Sequence, residues 1–126
     1  MPDSNIRRYE ARATSTDVFG RVLCGVRNHH YVVDGPAQNE CPGEEVTPGE
    51  LFLSAVASCG VELVQVIAKS EGIPLPGIEV AIQGVMDRSQ PVRADVSLFN
   101  SVSLQFQIQG VTENQAKHLV EKFKGR

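Results

Sequence analysis

The chain has 126 residues, of which 41% are hydrophobic and 21% are charged, and its formal net charge is −3 at pH 7. These values are typical of a folded globular protein, and they exclude a disordered or fibrous chain. No long run of Lys or Arg occurs, which argues against binding to nucleic acid. We therefore expect one domain over residues 1–126 with a single hydrophobic core.

The N-terminal region and the longest apolar segment both argue against a secreted or membrane protein. The first thirty residues contain no apolar segment followed by a small-residue cleavage site. The apolar stretch within 51–68 is interrupted by Ser54, Ser58, Glu62 and Gln65, so we expect no membrane span. The predicted location is the cytoplasm.

The first part of the chain has strand patterns separated by turns. Residues 6–13 and Val18–Val26 flank a turn-like segment, which predicts an initial pair of strands. The β-branched and aromatic run Tyr31–Val33 predicts another short strand that ends at the turn Asp34-Gly35-Pro36. The long loop that follows contains Cys41, and it is either a functional loop or a mobile surface connection.

A long helix begins after this loop. Thr47 can cap it, Pro48 suits the first helical position, and Glu50 stands three residues after the cap. With Gly72 as the stop, the helix has about 24 residues and a length of roughly 36 Å. Apolar residues within Leu51–Ala68 cover nearly every side of it, so it should be enclosed. The remaining chain is too small to cover it, which predicts a homodimer.

The last part of the chain predicts strands and a second helix. Alternating apolar and polar residues within Ile78–Gln83 and Val102–Ile108 indicate two half-buried strands, and a further strand is expected within Arg93–Phe99. Thr112 and Gln115 form a capping box before a helix with one apolar face. The predicted fold class is α+β.

Cys59 is the candidate nucleophile because it lies in the middle of the long helix among small residues. The alternative is that it is a buried cysteine that only packs. A reactive cysteine needs a cation or hydrogen-bond donors nearby, because these favour the thiolate. The helix offers only Glu62 on the side of Cys59, which helps only by anchoring an arginine. The spacings of cysteine and histidine match no metal site, and cofactor motifs are absent, so neither is expected.

Two segments of the chain resemble the OsmC/Ohr family: Val32-Val33-Asp34-Gly35-Pro36 and the helix start Thr47-Pro48-Gly49-Glu50-Leu51 that runs on to Ala57-Ser58-Cys59. The resemblance implies an intertwined homodimer with long central helices wrapped by antiparallel β-sheet. It also implies a peroxidatic cysteine at Cys59. The family uses an arginine from the N-terminal strands, for which Arg21 is the nearest match, although Arg21 also has an ordinary reading as a surface residue.

The activity implied by the resemblance is that of a stress-response oxidoreductase, a peroxiredoxin-like thiol peroxidase. It reduces organic hydroperoxides through a cysteine sulfenic acid and is restored by a dithiol reductant. The chain departs from the family at Gly49, where the peroxidases carry a glutamate. It also lacks the family's C-terminal Cys-Pro segment, so that Cys24 and Cys41 are the two cysteines left that could resolve Cys59 within the chain. The alternative function is a non-catalytic OsmC-fold dimer that binds a small apolar ligand at the subunit interface.

Overall fold

The computed structural model describes residues 5–95 and 98–125 and divides into two compact units, with the boundary between Leu51 and Phe52. Three strands come first, followed by a long helix, two further strands and a second helix. This arrangement of helices with antiparallel sheets confirms the α+β fold class. The single domain over residues 1–126 stays a prediction, and each unit is described by itself.

The first unit contains a three-stranded antiparallel sheet. Its strands are β1 (Arg12–Ser15), β2 (Arg21–Val26) and β3 (His29–Asp34), in the order β1-β2-β3. The tight connection between β2 and β3 includes Arg27, whose φ of 53° lies in the left-handed region. This hairpin sets the register in which Arg21, at the start of β2, lies opposite Asp34, at the end of β3.

The bounds of the first two strands differ from the sequence prediction. Residues 6–11 form no strand, and pairing with β2 is limited to the four residues of β1. The second strand begins at Arg21 rather than at Val18, because the backbone N–H of Arg21 donates to the carbonyl oxygen of Val18 in a turn. The Thr16 hydroxyl closes the same turn by donating to the Arg21 carbonyl oxygen at 2.9 Å.

The long helix α1 (Pro48–Ser70) begins and ends as its sequence predicts. At its start the backbone N–H of Thr47 donates to Glu50 Oε1 at 3.0 Å, and the backbone N–H of Glu50 donates to Thr47 Oγ1 at 3.4 Å. At its end Gly72 has a φ of 68°, and the N–H of Ile73 donates back to the carbonyl oxygen of Ala68 at 2.9 Å. Glycine suits this position because a side chain there is strained.

The second unit combines most of α1 with a two-stranded antiparallel sheet and helix α2 (Glu113–Lys124). Its strands are β4 (Gly77–Val85) and β5 (Ser101–Gln109). The predicted capping box at the start of α2 is present, since Thr112 and Gln115 bond each other's backbone N–H groups.

The core of the second unit lies where α1 meets α2 and the sheet. Its buried members are the α1 residues Val64, Ile67 and Ala68 and the α2 residue Leu119. Half-buried apolar side chains surround them: Ile73, Leu75, Ile78, Phe106, Ile108 and Phe123. This small core therefore joins the C-terminal half of α1 to the rest of the unit.

The segment between β4 and β5 differs from its prediction. The described residues of Arg93–Phe99 form no strand, while Val96 and Ser97 lie outside the described residues. The side chain of Asn100 ties this connection together. Its Oδ1 accepts from the backbone N–H of Asp87 at 2.6 Å, and its Nδ2 donates to the carbonyl oxygen of Gln90 at 2.7 Å. These two bonds hold the start of the connection, at Asp87 and Gln90, beside the residue that precedes β5.

One chain alone does not enclose α1. Only four described residues of the helix are buried, and all of them lie in its C-terminal half: Gly60, Val64, Ile67 and Ala68. By length and composition α1 also qualifies as a membrane span, contrary to the sequence argument, but a core helix of a soluble protein meets the same criterion. One chain therefore leaves uncovered the open side of α1, which carries the exposed residues Phe52, Ala55, Cys59, Glu62 and Val66.

The substitution Leu119→Ala should lower the free energy of unfolding by about 2–5 kcal/mol, because it removes a fully buried side chain and leaves a cavity. Urea denaturation followed by circular dichroism measures this change. The matched control is Val92→Ala, at a valine that is 57% exposed, which should stay within about 0.5 kcal/mol of the parent. Equal losses in the two variants would contradict the assigned core.

Candidate functional site

The carboxylate of Asp34 accepts several hydrogen bonds in the first unit. Its side chain is completely buried. Arg21 binds it with two bonds, from Nε to Oδ1 at 2.8 Å and from Nη2 to Oδ2 at 2.9 Å. The Oδ2 atom also accepts the backbone N–H groups of Glu44 at 3.1 Å and Glu45 at 2.9 Å. A buried carboxylate is stable only with such compensation.

These contacts shift the ionisation of both charged partners. The hydrogen bonds from Arg21 hold the pKa of the Asp34 carboxyl well below its usual range, and the backbone N–H groups of Glu45 and Glu44 add to this effect, while burial opposes it. The hydrogen bond to Asp34, followed by the one to Glu44, raises the pKa of the Arg21 guanidinium. Both groups are therefore charged at neutral pH.

A second carboxylate, that of Glu44, also binds Arg21. Nη2 of Arg21 donates to Glu44 Oε1 at 2.8 Å. The Glu44 side chain is 75% exposed, whereas that of Arg21 is 28% exposed. One guanidinium thus binds two carboxylates, and the formal charge of the three side chains together is −1. We call these three residues the Arg21 cluster.

The β2–β3 hairpin and the loop after it explain why these three residues meet. Arg21 and Asp34 are partners in the strand register, so their side chains lie on the same face of the sheet. The loop then folds back, because the N–H of Gly35 donates to Gly20 O at 2.8 Å and the N–H of Gly43 donates to Gly35 O at 3.1 Å. This return places Glu44 beside the hairpin end.

Cys41 lies in the same loop, in a notch between two glycines. A Cβ atom added to Gly20 or to Gly35 would overlap the Cys41 sulfur. The Cys41 thiol is half-buried and donates to the carbonyl oxygen of Asn39 at 3.6 Å. Since Gly20 precedes Arg21 and Gly35 follows Asp34, the thiol sits against the backbone of the Arg21 cluster.

Cys59 lies on the open side of α1 in the second unit and is exposed. Its neighbour Gly60 is buried and faces the sheet, with Phe106 and Val80 at 3.5 and 3.7 Å from the position of a Cβ. Glu62 is exposed on the same side as Cys59. The thiol is thus exposed in one chain, and the helix and the position of Cys59 in its middle are as predicted.

The pairing of Arg21 with the Cys59 thiol stays a prediction, because the two residues belong to different units. Two further arginines, Arg93 and Arg27, have local surroundings of their own. Arg93 forms a two-bond pair with Asp95 at 3.0 and 2.7 Å, and Arg27 lies in the β2–β3 turn. Cys24 lies on β2, is half-buried and, like the other cysteines, forms no disulfide in the described residues.

Sequence reasoning selected Arg21 but missed Asp34 and Glu44 as its partners. Asp34 was assigned only a turn role and Glu44 none. A signal for Asp34 was available, because a tight turn at residues 27–28 pairs position 21 with position 34. No comparable signal exists for Glu44, whose approach depends on how the loop folds.

Asp34→Asn should make the protein less stable at neutral pH and flatten its loss of stability in acid. A carboxyl whose folded pKa is depressed contributes stability above its unfolded pKa of about 3.9, and this contribution is lost as the pH falls through the lower folded value. The free energy of unfolding, measured with urea, should therefore fall less steeply between about pH 5 and pH 2 for the variant than for the parent. Glu40→Gln, at an exposed carboxylate of the same loop, should keep the parental slope. Parallel slopes for the parent and Asp34→Asn would contradict this assignment.

The chain is similar to known proteins in sequence pattern and in structure. The family model described as OsmC-like protein matches residues 41–126. A comparison with curated proteins finds no match. The OsmC-like protein from Mycoplasma pneumoniae superposes with a TM-score of 0.79 at 15% identity, over 95% of this chain and 82% of that one.

Two further structures have the same fold. The organic hydroperoxide resistance protein OsmC from Legionella pneumophila has a TM-score of 0.75 at 19% identity, over 97% of this chain and 85% of that one. An organic hydroperoxide resistance protein from Elizabethkingia anophelis has a TM-score of 0.76 at 20% identity, over 98% and 85% of the two chains. The family match covers most of the chain, and these structures share its fold, so the chain belongs to the OsmC/Ohr family of OsmC-like proteins.

Proposed function

We propose that the protein is a thiol-dependent, peroxidase-like redox protein that reduces organic hydroperoxides through Cys59. The observation that carries the proposal is an exposed thiol in the middle of α1, at the position that matches the family's peroxidatic cysteine. Two structures with the same fold are named as organic hydroperoxide resistance proteins, which supports a role in redox stress. The three free cysteines suit the reducing cytoplasm.

The proposed reaction begins with the thiolate of Cys59. It attacks the distal oxygen of the hydroperoxide, an S–O bond forms, the O–O bond breaks, and the alkoxide leaves as the alcohol after taking a proton. The sulfur is oxidised to a sulfenic acid and the hydroperoxide is reduced. A thiol then displaces water from the sulfenic acid to give a disulfide, and a dithiol reductant restores the Cys59 thiol. The first of these thiols belongs to Cys24, Cys41 or the reductant.

Arg21 is the cation that we assign to the thiolate in this proposal. A guanidinium stabilises an adjacent thiolate by charge and by hydrogen bonds. Two carboxylates already bind Arg21, so its charge is compensated within the first unit. For Arg21 to assist Cys59, the exposed contact with Glu44 is the one that has to yield.

Reduced protein should consume cumene hydroperoxide rapidly, and Cys59→Ser should abolish this reaction. Stopped-flow mixing with excess hydroperoxide, followed by mass spectrometry for the added oxygen, measures it. Cys24→Ser is the matched control. We expect it to keep the initial oxidation rate, because Cys24 lies on β2 and takes no part in the first step of the proposed reaction.

Equally slow consumption by the parent and by Cys59→Ser would overturn the peroxidase proposal. That outcome favours the alternative, a non-catalytic OsmC-fold dimer that binds a small apolar ligand at the subunit interface. The compensated charge of Arg21 is the observation that supports this alternative. Alkylation of Cys59 across a pH series separates the two, because only a reactive cysteine is alkylated quickly at neutral pH.

We also propose that the working form is a homodimer, formed through the open side of α1. The exposed residues there recur at spacings of three and four: Phe52, Ala55, Cys59, Glu62 and Val66. This spacing is the one by which two helices pack along a common seam. Phe52 is 54% exposed and Val66 is 44% exposed, which is costly for a helix that stays uncovered. A second copy of α1 offers a matching surface.

Val66→Lys should convert the dimer into a monomer at micromolar concentration, because it places a charge in the proposed seam. Analytical ultracentrifugation measures the change. Val92→Lys makes the same substitution at a valine of the β4–β5 connection that is 57% exposed, and it should leave the dimer intact. A monomeric parent protein, or a Val66→Lys variant that sediments as a dimer, would contradict the seam.

A further inference from the structure

The two carboxylates that bind Arg21 are held very differently. Asp34 is completely buried, makes two bonds with the guanidinium and accepts two backbone N–H groups. The carboxylate of Glu44 makes one bond with the guanidinium and is 75% exposed. Exposed ion pairs compete with water and are individually weak, whereas breaking a buried pair leaves a charge uncompensated. Asp34 is thus a permanent partner and Glu44 an exchangeable one.

Release of the Glu44 side chain requires no rearrangement of the loop. The backbone N–H of Glu44 stays bound to Asp34 Oδ2, so only side-chain torsions have to change. The guanidinium keeps its orientation because Nε and one N–H of Nη2 still donate to Asp34. Departure of Glu44 therefore exposes a fixed N–H donor on a charged group, which is what an anion site needs.

We propose that Glu44 is a displaceable internal ligand of Arg21, and that the carboxylate of a small organic molecule binds in its place. The Glu44 carboxylate marks the geometry that such a ligand has to reproduce. Exchange of one carboxylate for another keeps two carboxylates in contact with the guanidinium. A dianion such as inorganic phosphate adds more negative charge beside Asp34 than a monoanion does, so a monoanionic carboxylate is the preferred ligand. The inference rests on the Arg21 site of the proposed function but not on the reactivity of Cys59.

The same arrangement gives Glu44 a defined effect on affinity. While Glu44 is bound, a ligand finds Arg21 occupied, so the apparent dissociation constant is the intrinsic one divided by the fraction of open molecules. If Glu44 is bound for about nine-tenths of the time, its removal tightens binding about tenfold. Removal of the Glu44 carboxylate should not raise the affinity for a neutral analogue of the ligand, because such an analogue lacks the charge that replaces Glu44.

The test uses butyrate as the probe and butyramide as its neutral analogue, in the full chain carrying Cys59→Ser so that thiol chemistry plays no part. The Nε–Hε signal of Arg21 in ¹H–¹⁵N spectra reports binding, and Arg21→Gln identifies that signal. Glu44→Gln should bind butyrate about tenfold more tightly than its parent. Glu40→Gln removes the same charge from an exposed position of the same loop and should leave the affinity within about twofold.

Equal butyrate affinities for Glu44→Gln and Glu40→Gln would overturn the inference, since general charge would then explain the effect. Equal shifts with butyramide would overturn it as well. Because the amide introduced by Glu44→Gln could retain a weaker bond to Arg21, Glu44→Ala serves as a second variant and should bind at least as tightly. Tight butyrate binding in a protein that does not reduce hydroperoxides supports this inference while overturning the peroxidase proposal, and the reverse pair of results overturns this inference alone.

Discussion

The buried carboxylate of Asp34 is the constraint around which the first unit is organised. A charge removed from water needs several donors, and no single element of this unit supplies enough of them. Arg21 contributes two from the start of β2, and the returning loop contributes two backbone N–H groups. Satisfying one carboxylate thus fixes the hairpin end, the direction of the loop and the orientation of the guanidinium at the same time.

In the second unit the corresponding constraint is the length of α1 compared with the material available to cover it. The sheet and α2 cover its C-terminal half, where the small core forms. On the open side of the helix apolar residues are exposed to solvent, and Cys59 lies among them. The proposed homodimer covers this open side, on which Cys59 lies.

The parts of the fold that local chemistry determines were predictable from sequence. The two capping boxes, the glycine after α1 and the alternation in β4 and β5 each identify an element, and the structure confirms them. The starts of the first two strands and the segment before β5 were not predictable in this way. The start of β2 depends on a turn bond at Arg21, and the side chain of Asn100 ties the connection before β5 through contacts that no local pattern predicts.

The residues of the candidate site also differ in whether the sequence could reveal them. Cys59 and Arg21 were selected through residue type and family resemblance, whereas Asp34 and Glu44 emerge only from register and loop path. An apolar helix predicts that a cover exists, and only the length of α1 compared with the rest of the chain indicated that one copy does not provide it. A thiol in the middle of such a helix is therefore buried or exposed according to the assembly.

The notch that holds Cys41 has a consequence for how this sequence can evolve. Gly20, Gly35 and the Cys41 side chain share one small volume, and a methyl group at either glycine would overlap the sulfur. Enlargement at any one of these positions is tolerated only if another becomes smaller or the loop moves away. Since the loop also carries Glu44, we expect the three positions to covary among relatives, and lineages that lose the small residues should also lose the carboxylate beside Arg21.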